Sequence, residues 1–275
     1  MLNVGCEMRV GFLQYSPVFG DKKGNLERVG EMLSREKDAL IVLPELCFTG
    51  YVFEDKKELD TLAEEAIGPT VECLTPIAKD NNLFLVFGMA ERVGERLYNS
   101  SCLLSPKGEI KMYRKAHLFN MEKTLFAPGD TGFPVFDIEI NGVQAKVGLL
   151  ICFDWIFPEP WRILALKGAQ IIAHSTNLVL PYCQDAMITR AIENRIFIIT
   201  ANRIGEERGL RFTGRSQAVK PTGKILIRVG EESQGVWTVE CDPLEAQNKM
   251  VTEKNDVLGD RREDLYKIEE KMGSE

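Results

Sequence analysis

Short runs of consecutive apolar residues, each bounded by polar or turn-forming residues, constrain the fold of this chain more than any other feature. They include residues 39–43 (ALIVL), 147–152 (VGLLIC) and 196–201 (IFIITA). Runs of this length and composition predict strands whose two faces are both buried. Such a strand must be covered on both sides, so the chain must also supply helices or a second sheet.

Helical segments alternate with these runs. Segments 25–37 and 185–195 carry apolar residues at helical spacing, and segments 70–81 and 159–167 are also typical of helices. Further strands are predicted at 8–15, 83–89, 98–104, 110–114, 170–174, 214–219, 225–229 and 235–240. Too many neighbouring strands lack a helix between them for a purely doubly wound sheet. The pattern therefore predicts an α/β protein with mixed strand directions, in which two packed sheets are covered outside by helices.

The chain shows no sign of division into several domains. No internal repeat, low-complexity block or linker rich in proline, glycine or serine is visible. We therefore predict a single domain over residues 1–275, with a core over about 8–255 and a charged tail over 256–275. The tail has few apolar anchors, so a solvated extension and a role in subunit contact are both compatible with it.

Charge and cysteine content exclude several classes of function. The 34 Lys and Arg residues and 41 Asp and Glu residues give a net charge of −7, which argues against a nucleic-acid partner. No apolar stretch reaches the roughly 18 residues of a membrane span, and no secretory signal is visible. Seven cysteines without CxxC spacing predict reduced thiols in a cytoplasmic protein. Two histidines are too few for most metal sites, and nucleotide-binding motifs are absent.

Three side chains that could carry chemistry follow predicted strands. Cys152 ends the run VGLLIC, Glu45 follows the run ALIVL, and Lys115 follows segment 110–114. Each has an ordinary structural explanation by itself: a buried small thiol, a capping acid and an exposed strand-end lysine. Open α/β sheets build sites at strand ends, so the three together would supply a thiol nucleophile, a carboxylate base and a cationic stabiliser.

Five segments resemble the sequence blocks of the nitrilase superfamily, the carbon–nitrogen hydrolases. They are LPELCFTGY, YRKAHLFNMEKTLFAPGD, GLLICFDWIFPEPWRILALKGAQIIAHSTN, RAIENRIFIITANRIGEERG and FTGRSQAVKPTGKIL, and the resemblance covers nearly the whole chain. It implies a four-layer α-β-β-α sandwich in which Glu45 is the general base, Lys115 stabilises the tetrahedral intermediate and Cys152 is the nucleophile. It also implies that Glu122 orients the substrate amide and Lys115.

The resemblance further implies hydrolysis of a small amide or N-carbamoyl amine, with ammonia released through a cysteine thioester and with no metal or organic cofactor. The backbone N–H of Phe153 would help Lys115 to hold the oxyanion. Trp155 and Ile156 stand where relatives that bind a substrate carboxylate carry arginines, which predicts an apolar wall for an uncharged or amine-bearing chain. The candidates for substrate contact are Phe153, Trp155, Asn177 and Tyr51.

Three alternatives stay open. Nitrile hydrolases of the superfamily usually read Cys-Trp-Glu, whereas this chain reads Cys152-Phe153-Asp154, which is closer to amidases and carbamoylases. Acyl transfer from the same thioester is the second alternative. A non-catalytic scaffold is the third, and the presence of all four predicted catalytic residues argues against it. The expected partners are a small amide, carbamoyl or nitrile substrate and, by resemblance, further copies of the chain, paired through helices 159–167 and 185–195 as a homodimer or a larger homo-oligomer.

Overall fold

The structure is a computed structural model that describes residues 7–266. Its strands are β1 (Met8–Gln14), β2 (Ala39–Val42), β3 (Leu83–Val93), β4 (Arg96–Leu104), β5 (Ile110–Arg114), β6 (Val135–Ile140), β7 (Val143–Ile151), β8 (Ile171–Thr176), β9 (Phe197–Asn202), β10 (Glu206–Glu207), β11 (Leu210–Arg211), β12 (Gln217–Val219), β13 (Ile225–Arg228), β14 (Gly235–Cys241), β15 (Met250–Thr252) and β16 (Asn255–Asp256). Its helices are α1 (Lys22–Leu33), α2 (Lys56–Leu62), α3 (Pro69–Asp80), α4 (Glu122–Leu125), α5 (Pro158–Leu166) and α6 (Cys183–Asn194).

The fold contains two six-stranded sheets with the same arrangement of parallel and antiparallel strands. The first has the order β14-β1-β2-β3-β4-β5 and the second β13-β12-β9-β8-β7-β6. Strands β1, β2 and β3 are parallel, as are β7, β8 and β9, and every other pairing within the two sheets is antiparallel. The predicted combination of two mixed sheets is therefore confirmed.

The sheets face each other, and helices cover their outer faces. Leu40 and Val42 of β2 pack in one core cluster with the strands of the second sheet. Ile41, between them, points the other way and packs in a separate cluster with Val29 of α1 and Leu74 of α3. Helices α5 and α6 pack on the second sheet. The apolar run at 39–43 is thus buried on both faces, as predicted, and the layers follow the order α-β-β-α.

Some element bounds differ from the predicted ones. The helix predicted at 25–37 begins at Lys22, where the Asp21 side chain accepts the N–H of Gly24 at 3.0 Å. The strand predicted at 214–219 covers only Gln217–Val219, because Gly214 and Arg215 adopt positive φ angles of 56° and 59°.

Strand β6 and the short helices α2 and α4 were not predicted at all. Strand β6 lies at the outer edge of the second sheet and is only partly buried, so it lacks the continuous apolar run of a central strand.

The C-terminal part is mostly exposed from residue 256 to residue 266, and residues 267–275 of the predicted tail lie outside the described part. Across residues 7–266, no helix is both long enough and apolar enough to cross a membrane.

Candidate active site

The ends of three strands bring the predicted side chains to one place between the sheets. Glu45 lies in the turn after β2, Lys115 directly follows β5, and Cys152 directly follows β7. All three are buried, with relative exposures of 0%, 1% and 6%. The first two belong to the first sheet and the third to the second, so the site forms where the two sheets meet.

The backbone of Glu45 packs directly on Gly88 of β3. The Gly88 N–H donates to the carbonyl of Pro44 at 3.1 Å, and the Gly88 carbonyl accepts the N–H of Cys47 at 3.2 Å. A Cβ atom at position 88 would lie only 2.5 Å from the Cα of Glu45. A glycine here therefore allows the turn that carries Glu45 to sit against the neighbouring strand.

Lys115 is held between two buried carboxylates. Its Nζ donates to Oε1 of Glu45 at 2.6 Å and to Oε1 of Glu122 at 2.8 Å. Glu122 is 3% exposed at the start of α4, so it is not the surface glutamate that its neighbour Lys123 would suggest. Its second oxygen, Oε2, accepts the N–H of Phe119 at 3.0 Å. The ammonium group is thereby fixed between two acceptors.

The two oxygens of Glu45 differ in their surroundings. Oε1 accepts from Lys115 and from Nδ2 of Asn99, at 2.7 Å. No hydrogen-bond donor among residues 7–266 reaches Oε2, which is buried. Asn99 was not predicted as a site residue, since a lone asparagine within a strand carries no sequence signal. One oxygen of Glu45 is thus fixed and the other is available to accept a proton.

Burial is the largest single influence on the pKa values of Glu45, Lys115 and Cys152. It raises the pKa of the Cys152 thiol well above its usual value; Glu45 adds to this and Lys115 opposes it. Burial also raises the pKa of Glu45 against the opposing effect of Lys115. For Lys115 burial acts to lower the pKa, but Glu122 and Glu45 outweigh it, so its pKa is raised and the ammonium stays charged. The resting thiol is therefore neutral, and it needs a base to become a nucleophile.

Cys152 lies at a strained turn. Strand β7 ends at Ile151, one residue earlier than predicted, and Cys152 begins a 3₁₀ helix at Cys152–Ile156. Its φ of 38° is in the left-handed region, which is unusual for a residue other than glycine. The buried Nε2 of His174 lies 3.1 Å from the carbonyl of Cys152, a contact that fixes this turn from β8.

Asp154 joins the cysteine turn to the lysine segment. Its Oδ2 accepts the N–H of Ile151 at 2.9 Å and the hydroxyl of Tyr113 at 2.8 Å. Its Oδ1 lies 2.7 Å from Nδ1 of His117, which is two residues after Lys115. The sequence alone does not indicate a role for this carboxylate, because its burial is determined by contacts from other strands. It is a structural bridge between two of the strand ends that carry the site.

A small cavity of about 20 Å³ lies at Cys152, enough for one water-sized group. Three of the predicted contact residues, Phe153, Trp155 and Asn177, line it. Asn177 has a further role, since its Nδ2 donates to the carbonyl of Glu45 at 2.8 Å and its backbone acts to lower the pKa of the Cys152 thiol. The remaining lining residues are Phe119, Leu178, Val179 and Leu180.

Tyr51, a predicted substrate contact, and Ile156, part of the predicted apolar wall, do not line this cavity. The hydroxyl of Tyr51 donates to Oε1 of Glu122 at 2.7 Å. Ile156 is 45% exposed and is also absent from the cavity wall, because it lies at the far end of the 3₁₀ turn that begins with Cys152. The apolar lining of the cavity therefore consists of Phe119, Phe153, Trp155 and segment 178–180, without Ile156.

Within residues 7–266, no group of three or more His, Cys, Asp or Glu side chains is arranged to hold a metal ion. The site geometry instead offers a neutral thiol, a free carboxylate oxygen and a fixed ammonium group. This set can transfer a proton, form a covalent bond to carbon and stabilise a developing oxyanion.

Comparison with known proteins agrees with this geometry. The family model named carbon-nitrogen hydrolase matches residues 9–249. A Pyrococcus abyssi protein named nitrilase is 42% identical over 263 residues, covering 94% of this chain and 99% of its own length. An (R)-stereoselective amidase from a Pseudomonas species is 35% identical over 263 residues, covering 93% and 92%.

A solved structure is similar over the whole fold. It is a mutant of the amidase from Nesterenkonia sp., with the acetamide moiety of fluoroacetamide covalently added at the active-site cysteine. It is 28% identical to this chain, with a TM-score of 0.78, and the alignment covers 96% of this chain and 97% of that one.

Proposed function

The chain belongs to the carbon–nitrogen hydrolase family, and we propose that it hydrolyses a small amide or N-carbamoyl amine, releasing ammonia through a thioester on Cys152. One observation carries this proposal. Lys115 is held between Glu45 and Glu122 in a buried array, and the same three charges act on the Cys152 thiol. We assign Glu45 as general base, Lys115 as oxyanion stabiliser, Cys152 as nucleophile and Glu122 as the residue that orients Lys115 and the substrate amide.

The first half-reaction forms the thioester. Glu45 accepts the thiol proton on Oε2 while the sulfur of Cys152 attacks the carbonyl carbon of the substrate. The oxyanion accepts hydrogen bonds from Lys115 and from the backbone N–H of Phe153. The C–N bond then breaks, and Glu45 returns its proton to the departing nitrogen, so that ammonia leaves. Each donor to an oxyanion of this kind is worth about 3–4 kcal/mol of the barrier.

The second half-reaction restores the enzyme. Glu45 removes a proton from water, whose oxygen attacks the thioester carbon, and the tetrahedral intermediate collapses with loss of the sulfur. The proton on Glu45 then returns to Cys152. The product is a carboxylic acid from an amide, and a carbamic acid, which loses carbon dioxide to give the free amine, from an N-carbamoyl amine.

The chemistry of the cavity lining indicates the substrate class. Aromatic and aliphatic side chains such as Phe119, Trp155 and Leu180 contribute most of it. None of its lining residues is an arginine or lysine that could pair with a substrate carboxylate. These features favour an uncharged acyl group over an amide that carries a carboxylate nearby.

Nitrile hydrolysis is the second candidate, because the Pyrococcus abyssi relative is named nitrilase. Attack of the sulfur on a nitrile carbon gives a thioimidate. Addition of water and loss of ammonia then give the same thioester. The two activities therefore share every residue assigned above and differ only in the first intermediate.

A substrate panel tests the proposal. We would measure ammonia release from short aliphatic amides, N-carbamoyl amines, ω-amides of dicarboxylic acids and aliphatic nitriles. We expect turnover of uncharged amides or N-carbamoyl amines, none in Cys152→Ala, and wild-type rates in Cys73→Ala, which removes an exposed thiol. Turnover of nitriles alone would favour the second candidate.

Two other results would contradict hydrolysis through a thioester. Ammonia release that requires added hydroxylamine and gives the hydroxamic acid, with no carboxylic acid formed in water alone, would indicate an acyltransferase. Full ammonia release by Cys152→Ala would exclude the thioester mechanism.

A further inference from the structure

A second buried ion pair lies behind the site, outside the residues assigned to the chemistry. Arg203 and Glu207 are 1% and 6% exposed, and Nη1 of Arg203 donates to Oε2 of Glu207 at 2.8 Å. Among residues 7–266, no acceptor reaches Nε or Nη2 of Arg203, although both are buried. Buried donors without acceptors reduce stability, so a gain in stability does not explain this pair.

Glu207 fixes the segment that carries Tyr51. Its Oε1 accepts two backbone N–H groups, from Tyr51 at 2.7 Å and from Val52 at 2.6 Å. The close approach depends on Gly50, which has a φ of 87° and whose added Cβ would lie 2.8 Å from Oε2 of Glu207. A carboxylate that binds two consecutive amides determines both the position and the direction of that peptide segment.

The ring of Tyr51 is fixed by the same cluster. The guanidinium of Arg203 lies over the ring of Phe212, 4.0 Å from its centre. The ring of Phe212 in turn meets that of Tyr51 edge-to-face, with centres 6.1 Å apart and planes at 88°. Backbone and ring of Tyr51 are therefore both held by contacts that originate at the ion pair.

Tyr51 connects this cluster to the array at the site. Its hydroxyl donates to Oε1 of Glu122 at 2.7 Å, and the same oxygen accepts Nζ of Lys115 at 2.8 Å. Burial raises the pKa of Tyr51, and Glu122 raises it further, so the hydroxyl remains a neutral donor. A shift of the tyrosine hydroxyl would move the shared acceptor and, with it, the ammonium group.

We propose that Glu207 is a positioning residue for the reaction: it places the Tyr51 hydroxyl on Glu122 and thereby sets the position of Lys115. The inference rests on the proposed function, because its first test measures the rate of hydrolysis. Glu207 does not contact the substrate cavity or the reacting atoms. Substitution of Glu207 should therefore lower kcat, because kcat depends on the placement of the oxyanion donor, and should change KM much less.

A double-mutant cycle tests this coupling. We expect Glu207→Gln to lower kcat by about tenfold with KM within about threefold, since small displacements of catalytic groups have effects of this size or larger. Tyr51→Phe removes the hydroxyl through which Glu207 acts. In that background Glu207→Gln should lower kcat no further, because the two residues work through one hydrogen bond.

Glu58→Gln is the matched control. Glu58 and Arg208 form an exposed ion pair at 2.6 Å, and Nη1 of Arg208 also donates to the carbonyl of Val52 at 2.8 Å. This pair connects the segment that contains Val52 with the segment that contains Glu207, as Glu207 does, but it does not bind the amide of Tyr51. We expect wild-type kcat in Glu58→Gln. An equal loss there, or additive losses in the cycle, would show that general loosening is responsible and would overturn the proposal.

A second readout separates this inference from the proposed function. The rate at which iodoacetamide alkylates Cys152 depends on the position of Lys115 but needs no substrate turnover. If the wild type hydrolyses no compound, the proposed function fails and the same cycle is measured by alkylation.

If Glu207→Gln folds poorly, Glu207→Asp takes its place, since it keeps the charge opposite Arg203 but withdraws the carboxylate from the two amides. Unchanged alkylation and turnover in the folded variant would overturn the positioning role.

Discussion

The charge of Lys115, at the centre of the array, depends on the two carboxylates beside it. Lys115 remains charged in a fully buried position because Glu45 and Glu122 outweigh its loss of hydration. Removing one partner of a buried ion pair leaves the other charge uncompensated. With two carboxylates, loss of one still leaves the ammonium group paired, so Glu122 can be tested without removing all compensation from Lys115.

Glu122→Ala should abolish most amidase activity while the protein remains folded. The substitution removes the acceptor that Lys115 shares with the Tyr51 hydroxyl, so the ammonium group loses its fixed direction. We expect kcat to fall by at least about a hundredfold, in the range of a lost oxyanion donor. Lys123→Ala, an exposed neighbour, serves as control. Wild-type turnover in Glu122→Ala, measured by ammonia release alongside thermal unfolding, would remove Glu122 from the site.

The sequence identifies some of these residues and not others, for a physical reason. Glu45, Lys115 and Cys152 each follow a strand that is recognisable from its apolar pattern, so their meeting could be predicted. Asn99 and Glu207 carry no such signal, since their burial depends on contacts from distant segments. The substrate contact of Tyr51 stays a prediction, and its hydrogen bond to Glu122 was not predicted, because it depends on side-chain direction within a loop.

At the scale of elements, the site depends on how closely the strands approach each other. The turn after β2 can sit against β3 only where β3 has no side chain, at Gly88. The predicted central strands agree with the structure because continuous apolar runs report burial on both faces. Strand β6 was not predicted, because an edge strand is only partly buried and its sequence lacks a continuous apolar run.

Gly88→Ala should displace Glu45 and lower kcat/KM by about a hundredfold, since its Cβ would lie 2.3 Å from the backbone nitrogen of Leu46. The contacted atoms are backbone, so a side-chain rotation cannot relieve the clash. Gly30→Ala in α1 is the matched control, because its Cβ would meet only the end of the Ile77 side chain, at 3.1 Å. Equal activity of the two variants in steady-state kinetics would contradict this account of the turn.

At the scale of the whole molecule, the buried His174 links stability to pH. Burial lowers its pKa from 6.5 to about 4 in the folded protein. The unfolded chain therefore binds a proton at this residue between about pH 6.5 and 4 that the folded protein does not bind, so stability falls on acidification across this window. We expect a loss of about 2 kcal/mol in the free energy of unfolding between about pH 7.5 and 5 from this group.

His174→Gln tests this contribution. Glutamine keeps an N–H donor for the Cys152 carbonyl but does not titrate across this range. Urea unfolding at both pH values should show a smaller pH dependence in the variant than in the wild type. The same pH dependence in both proteins would contradict the assignment to His174.

The exposed side of helices α5 and α6 also predicts self-association. Ile156, Leu166 and Ile192, on or beside helices α5 and α6, are 45%, 47% and 42% exposed. We expect a dimer by light scattering, and a monomer for the double variant Ile156→Asp with Ile192→Asp. Ile67→Asp, at a 72% exposed position away from these helices, should leave the dimer intact. A monomeric wild type would contradict the predicted pairing.

The central claim is that Glu45, Lys115 and Cys152 act as one unit, and the alkylation of Cys152 by iodoacetamide tests it most directly. Peptide mapping gives the rate at Cys152 relative to the exposed Cys73 in the same molecule, which serves as an internal reference. We predict that Glu45→Gln, which removes the base but keeps an acceptor for Lys115 and Asn99, lowers this ratio by at least about tenfold at neutral pH. An unchanged ratio, or a wild-type Cys152 that reacts no faster than the buried Cys183, would contradict the account.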